Sequence, residues 1–339
     1  MSRARSLLRY LLARLALAPV MLWLIASLVF LLLRVAPGDP IDALLGSRAP
    51  AAARAALRSQ LGLDQPLWQQ YGHFLGQLLR GDLGESLTNQ EPVSATIAGS
   101  LPASLELGLV ALLIAAVVGL AVGFSGIARP EGKLDLGGRL YGIGTYALPP
   151  FWAAMVVQLI FAVWLGWLPV GGRFPPTLEP PSGSGFYLFD SLRAGDWQQF
   201  SGAIRHLVLP ASTLALLLSG IFTNALRLNL RRALGSDYVE AARSRGLSES
   251  RVVLHHALPN ALLPVLTITG ITIASLIGGA LLIEVTYSWP GIASRLQEAI
   301  AQRDYPLVQG IVVVVAALVV LVTVAVDLLV ALLDPRIRF

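Results

Sequence analysis

Few side chains in this sequence have the type and spacing for chemistry. The stretch Gly123-Phe124-Ser125-Gly126 has the look of a nucleophilic serine in an intramembrane hydrolase. Such a serine needs a histidine base on a neighbouring helix. The candidate by depth, His206, falls at the opposite membrane face in the topology derived below, so the stretch reads as a small-residue helix end entering a turn. The other histidines are His73, His255 and His256, and none forms H-E-x-x-H. Adjacent helix positions point about 100° apart, so His255 and His256 are poor co-ligands and read as interface or cap residues; no metal site is expected. The chain has 0 cysteines, which excludes disulfides, thiol chemistry and thiolate metal sites. No G-x-x-x-x-G-K-[ST] phosphate loop occurs. The lone lysine, Lys133, sits in RPEGKLD, without the first glycine or the Ser/Thr. This chain does not bind ATP by that motif.

Three acids lie within apolar runs, where ionisable groups are functional candidates by default. Glu106 falls in the first turn of a second span, near the outer surface. Glu284 falls at the outer end of a fifth, and Asp327 about two turns from the inner end of a sixth. Each is expected to cap a helix or to pair with an arginine inside the bundle. A proton-driven carrier needs more charge at mid-depth, so this scarcity argues for an outside energy source.

The elements that must position these groups are membrane helices. Hydrophobic residues make up 55% of the chain and charged residues 13%, against about 45–50% and about 25% in soluble domains. Six runs reach the length of a bilayer span: Leu11 to Leu33, Leu105 to Phe124, Leu140 to Leu165, Leu207 to Leu226, Leu262 to Ile283 and Leu307 to Leu333. The first is too long for a signal-peptide core, and PGDP follows it instead of a cleavage site, so it is read as a retained helix. Basic residues set the orientation, and nucleic-acid binding is not implied by the net charge of +5. With both termini inside, Arg3, Arg5, Arg9, Arg14, Arg129, Lys133, Arg139, Arg227, Arg231, Arg232, Arg243, Arg245, Arg251, Arg336 and Arg338 crowd the short inner segments. Two segments then lie outside. Residues 36–104 place Leu61, Trp68, Tyr71, Phe74 and Leu78 at helical spacing and predict one or two amphipathic helices. Residues 166–205 begin as a Pro- and Gly-rich loop.

Between the fourth and fifth spans runs the polar stretch Asp237 to Pro259, DYVEAARSRGLSESRVVLHHALP. It predicts two short capped helices. Asp237 can serve as N-cap with Glu240 closing a capping box, Gly246 as the C′ residue, and Ser248 as the second cap, with Pro259 as the stop. Ala241 and Ala242 would leave a bare face for close packing by another protein.

On these residues the chain resembles the membrane permease subunits of ATP-binding-cassette importers, in the dipeptide/oligopeptide/nickel branch. EAARSRG resembles the E-A-A-x-x-x-G signature, which falls on Glu240, Ala241, Ala242 and Gly246. PGDP at Pro37–Pro40, LGLDQPLWQQY at Leu61–Tyr71, GDLGES at Gly81–Ser86, SWPG at Ser288–Gly291, RDYPLVQG at Arg303–Gly310 and DPRIR at Asp334–Arg338 extend the match over most of the length. Relatives often carry Arg-Asn where this chain has Pro259-Asn260. The resemblance implies an all-α polytopic fold, the six-span transmembrane domain of a type I importer, with a helical external segment after the first span. Its parts would be 1–104 (tail, first span and external segment), a five-helix core at 105–333 with coupling helices at 237–259, and a tail at 334–339. It implies a non-catalytic subunit whose ATPase contacts come from Asp237, Glu240, Ala241, Ala242, Gly246, Arg251 and His256. The implied partners are a homologous second permease, two ATPases that hold ATP and Mg, a periplasmic binding protein and membrane lipid. The implied place is a bacterial inner membrane and the implied cargo a di- or oligopeptide, or a related solute such as a nickel or metallophore complex. The alternative is a self-contained channel or secondary transporter.

Overall fold

The computed structural model describes residues 3–35, 38–45, 49–127 and 132–333. Pro37 of PGDP, Arg129 and the DPRIR segment at 334–338 therefore lie outside the described residues. Among the described residues there is helix and loop, with one isolated bridge, Glu85 to Pro92, and no strand.

The chain divides into two units, one holding Ser104–Trp289 with both chain ends, the other Leu12–Ala103 and Pro290–Val320. In the first unit the long α9 (Trp197–Leu234) is central. Its most apolar stretch is 61% buried, whereas those of the other candidate spans are 28% buried or less, as expected of a helix surrounded by protein rather than lipid. Asp196 caps it, its Oδ1 accepting from the N–H groups of Gln198 (3.0 Å) and Gln199 (2.9 Å). Lipid tails are as apolar as leucine, so packing in membranes relies on small residues that let backbones close in. Here α6 (Lys133–Ala147) meets α9 through glycines: a Cβ on Gly142 would strike the Asn224 side chain, and one on Gly220 the Thr145 hydroxyl.

The third span departs from expectation. It is broken, α6 and the helical segment Pro150–Trp164 meeting at 101°. The segment comprises α7 (Pro150–Gln158) and a π-helical turn, Leu159–Trp164. Leu148 (ψ 125°) and Pro149 (ψ 128°) are both extended, because a proline pushes the residue before it out of the helical region. The fourth span begins ten residues earlier than expected, at Trp197 instead of Leu207. The loop of 166–205 contains a further short helix, α8 (Tyr187–Ala194).

The second unit contains most of α1 (Arg3–Val35), then α2 (Pro40–Leu45), α3 (Ala51–Gln60), α4 (Leu67–Leu79), α14 (Ile292–Ala301), the start of α5 (Val93–Phe124) and that of α15 (Tyr305–Leu333). Of the residues expected on amphipathic helices, Trp68, Tyr71, Phe74 and Leu78 fall on α4, whereas Leu61 is the residue that ends α3. Val29, Val93, Ile97, Ile292, Leu307, Val308 and Ile311 form its core. Phe30 packs on Tyr71 (5.2 Å) and Phe74 (5.6 Å), which ties α4 to α1. Asp304 is fully buried and explains two of the sequence motifs. Its carboxylate accepts from the Ser86 hydroxyl of GDLGES, the Thr88 N–H (3.2 Å) and the Leu307 N–H (3.2 Å), so it caps α15 while holding the loop.

Candidate functional site

The polar interruption folds as a compact foot beyond α9. Gly235 ends α9 and Ser236, extended at φ −93° and ψ 153°, precedes α10 (Asp237–Ser244). The N-cap is thus Ser236, one residue earlier than expected. Asp237 is the first helical residue, and the capping box does not form. The Ser236 hydroxyl instead donates to the Ala233 carbonyl, which leaves the first turn to Asp237 and Glu240, whose charges suit the positive end of the helix dipole. The other end is as expected: Gly246 turns the chain with φ +77°, and its N–H donates to the Arg243 carbonyl (2.9 Å).

Ser248 precedes α11 (Glu249–Arg251), and the Val252 N–H donates to its carbonyl (3.0 Å), although its hydroxyl makes no cap bond. Pro259 does not stop this helix. The chain passes through a π-helical turn, Val252–Ala257, into α12 (Leu258–Gly279), and Glu249–Ile273 is one continuous span candidate. A proline lacks an N–H and crowds the carbonyl four residues back. That carbonyl belongs to His255, inside the wider π turn, where the ladder is already rearranged.

Val239 and Ala242 of α10, one turn apart, are buried together with Val252, Val253 and Ala257 of the π turn. Asp237, Glu240, Ala241, Gly246 and Arg251 are exposed, and His256 is half-buried, its carbonyl accepting from Asn260 (2.9 Å). The two alanines therefore do not share a face: Ala242 packs inward and Ala241 points out, as the 100° step requires. A hollow of about 550 Å³ lies beside the foot, lined by Leu234, Gly235, Ser236, Glu240, Arg243 and Ser244. Arg243 grips Glu249 with both Nε (3.0 Å) and Nη2 (2.6 Å), clamping the two arms of the foot. This fork holds the Glu249 carboxyl below the usual carboxylate range and raises the Arg243 guanidinium.

The three intramembrane acids do not converge. Glu106 is buried well inside α5 instead of in a first turn, since α5 starts at Val93. It pairs with buried Arg173 (2.7 Å) and accepts from the Leu188 N–H (2.8 Å). Arg173 also donates to the Gly185 carbonyl (2.6 Å) and lies 3.7 Å from the Tyr187 ring centroid. Sequence reasoning missed Arg173, whose one local signal is a charge isolated in GGRFPP. Close by, burial pushes the Asp190 carboxyl up, but bonds from the Ser184 N–H and hydroxyl and the Gly185 N–H, with the charge of Arg193, outweigh it and hold the carboxyl below its usual range. Glu284, fully buried in α13 (Leu281–Thr286), accepts from the Ser104 hydroxyl. Asp327 is half-buried in α15.

Sequence reasoning also missed a charge knot on α6. Buried Asp135 receives Arg139 (2.6 Å), Arg231 (2.8 Å) and buried Arg227. The Ser125 hydroxyl donates to the Val122 carbonyl (2.7 Å) and His206 Nδ1 lies 2.9 Å from the Gly202 carbonyl, so each bonds within its own neighbourhood. No group of three potential metal ligands gathers among the described residues.

Residues 111–339 match the family "Binding-protein-dependent transport system inner membrane component", and residues 7–108 match its N-terminal companion. The chain belongs to this family. As a membrane component of a binding-protein-dependent transport system it is an ABC permease, and its relatives span nearly its whole length. It is 42% identical over 316 residues to the Di/tripeptide transport system permease protein DppB of Pseudomonas aeruginosa, covering 93% of this chain and 94% of that one. It is 36% identical over 336 residues to the Dipeptide transport system permease protein DppB of Escherichia coli, covering 98% and 99%. It is 35% identical over 316 residues to the Oligopeptide transport system permease protein AppB of Bacillus subtilis, covering 93% and 94%.

Proposed function

We propose that this permease forms half of the path by which di- and short oligopeptides cross a bacterial inner membrane. The observation that carries this reading is its likeness, over more than nine-tenths of its length, to permeases named for peptide transport. A homologous second permease supplies the other half, and a periplasmic binding protein delivers the peptide. Two ABC ATPases, which hold ATP and Mg, drive the cycle; this chain catalyses nothing itself. Its termini lie in the cytoplasm, and so does the foot.

The architecture of the foot supports its use as a lever. Asp237, Glu240, Ala241, Gly246 and Arg251 sit on exposed positions where an ATPase can seat, with His256 behind them. The Arg243–Glu249 clamp keeps α10 and α11 together, and α11 runs without a break into the span of α12, so a push on the foot reaches the membrane. Binding to a partner favours such preorganisation, because little entropy is lost on docking.

The test is ATP-dependent uptake of labelled dialanine in cells lacking the native system, with co-purification of the ATPases. Ala241→Arg adds bulk to the outer face and is expected to release the ATPases and abolish uptake while the permease stays folded and inserted. Ala242→Arg forces a charge into the inner face and is expected to lower the thermal stability of the permease as well. ATPases that remain bound to the Ala241→Arg variant would remove this face from the contact.

A further inference from the structure

The second unit contains a cavity of about 410 Å³ that the transport cycle proposed above does not use. That volume has room for far more than a single water, which needs on the order of 10–15 Å³. Arg34 of α1 reaches it, held in place from three directions. Its Nε donates to Gln70 Oε1 (3.0 Å), and its guanidinium carbon lies 4.5 Å from the Phe30 ring centroid and 5.0 Å from that of Tyr305. Yet its Nη1 is buried and finds no acceptor. Gln309 is 6% exposed, and its Nε2 is likewise buried without a partner. Tyr305 and Gln309 are four apart on α15, so the Gln309 amide follows one turn after the ring on which Arg34 lies, on the same helix face. Arg34 and Gln309 both line this cavity, and each carries one buried donor, Nη1 and Nε2, without a partner. Buried donors left unsatisfied cost more than a hydrogen bond returns, so the site is built for acceptor oxygens.

Charge narrows the occupant. Against one arginine, with the imidazole of His73 beside it in the lining, the cavity sets two carboxylates, Asp82 and Glu85, both exposed. A phosphate dianion would meet two like charges for each opposite one. A zwitterion meets complements at both ends. We propose that this cavity binds a small zwitterionic amino carboxylate, an amino acid or short peptide, with its carboxylate on Arg34 and Gln309 and its ammonium toward Asp82 and Glu85. Arginine forks match carboxylates in planar geometry. The site lies in the second unit, and its test is separate from that of the importer reading: binding here needs neither ATP nor a binding protein.

Equilibrium dialysis of the full-length permease in its transport complex, reconstituted in nanodiscs without ATP or binding protein, tests this with labelled dialanine as probe. Saturable binding is expected. Arg34→Gln is expected to weaken it about tenfold or more, as loss of a charged hydrogen bond should. Gln309→Leu, which keeps the side-chain bulk, is expected to weaken it several-fold in a complex that elutes as the wild type. Dialanine amide, lacking the carboxylate, and N-acetyl-dialanine, lacking the ammonium, should compete poorly, and inorganic phosphate not at all. Absence of saturable binding, or binding that survives both Arg34→Gln and Gln309→Leu, would overturn the proposal; phosphate competing as well as dialanine would overturn its charge assignment.

Discussion

Gly246 holds the turn of the foot at φ +77°, and an added Cβ there meets nothing within 4 Å. Space is therefore not the constraint; backbone conformation is. An L residue in that region costs roughly 1–2 kcal/mol. Gly246→Val is expected to distort the turn without disturbing membrane insertion, so that ATP hydrolysis continues while dialanine uptake falls. Uptake and hydrolysis measured on the same vesicles separate the two, and equal retention of both would show the turn to be dispensable. The Glu106–Arg173 pair poses a different problem, because its two side chains are only 6% and 5% exposed. Removing one partner of a buried pair costs about 3–5 kcal/mol, whereas replacing both with apolar groups can be neutral. Glu106→Leu should lower the unfolding temperature of the detergent-solubilised permease sharply, and Glu106→Leu/Arg173→Leu should recover most of the loss. A double variant as unstable as the single one would mean that Glu106 matters chiefly through its bond to the Leu188 N–H.

The foot shows how much of an element a sequence can disclose. Its existence was legible because a mostly polar and small-residue stretch interrupts the apolar runs, and Gly246 announces a left-handed turn. Its packing was less so. Ala241 and Ala242 read alike in the sequence, and only the helix phase separates the exposed one from the buried one. Pro259 reads as a stop, but an unusual turn upstream lets the helix continue. The break in the third span was written in Leu148-Pro149-Pro150, yet apolarity alone fuses the two halves. Short α14 was missed although Ile292, Leu296, Ala299 and Ile300 recur at helical spacing between its SWPG and RDYP borders. Arg173 was invisible for a stronger reason, since its partner Glu106 is distant in sequence and no local pattern encodes such a pair. The Arg243–Glu249 clamp carries a consequence for pH. The Glu249 carboxyl is held below its usual range by the Arg243 fork, so its contribution is present above the unfolded value of about 4.3 and is lost as pH falls through the lowered folded value. Amide exchange across Asp237–Arg251 should therefore quicken as pH drops below the ordinary carboxylate range, after correction for intrinsic rates. Glu249→Gln should already show the faster exchange at neutral pH; if the two proteins match at every pH, the clamp does not rigidify the foot.

For the molecule as a whole, one physical asymmetry ties the topology to the importer reading. Basic residues crowd the segments assigned to the cytoplasm, as expected when the membrane potential and insertion machinery hold short arginine-rich loops inside. The lever proposed for the foot requires it to lie on that side, because ATP is available only there. The chain has 0 cysteines, so single cysteines introduced into it report their own environment without background. Ser244, exposed at the end of α10, and Ser201, exposed near the start of α9, stand at opposite ends of the helix-and-foot segment and provide the pair. A membrane-impermeant maleimide should label Ser244→Cys in inside-out vesicles and not in right-side-out ones, and Ser201→Cys the reverse. Addition of the ATPases should then shield Ser244→Cys, which borders the hollow beside the foot, and leave Ser201→Cys as reactive as before. Labelling of Ser244→Cys from the outer side would invert the topology and place the foot beyond the reach of any nucleotide-driven partner. The arginine bias would then reflect composition alone, and the energy for transport would have to enter the permease elsewhere.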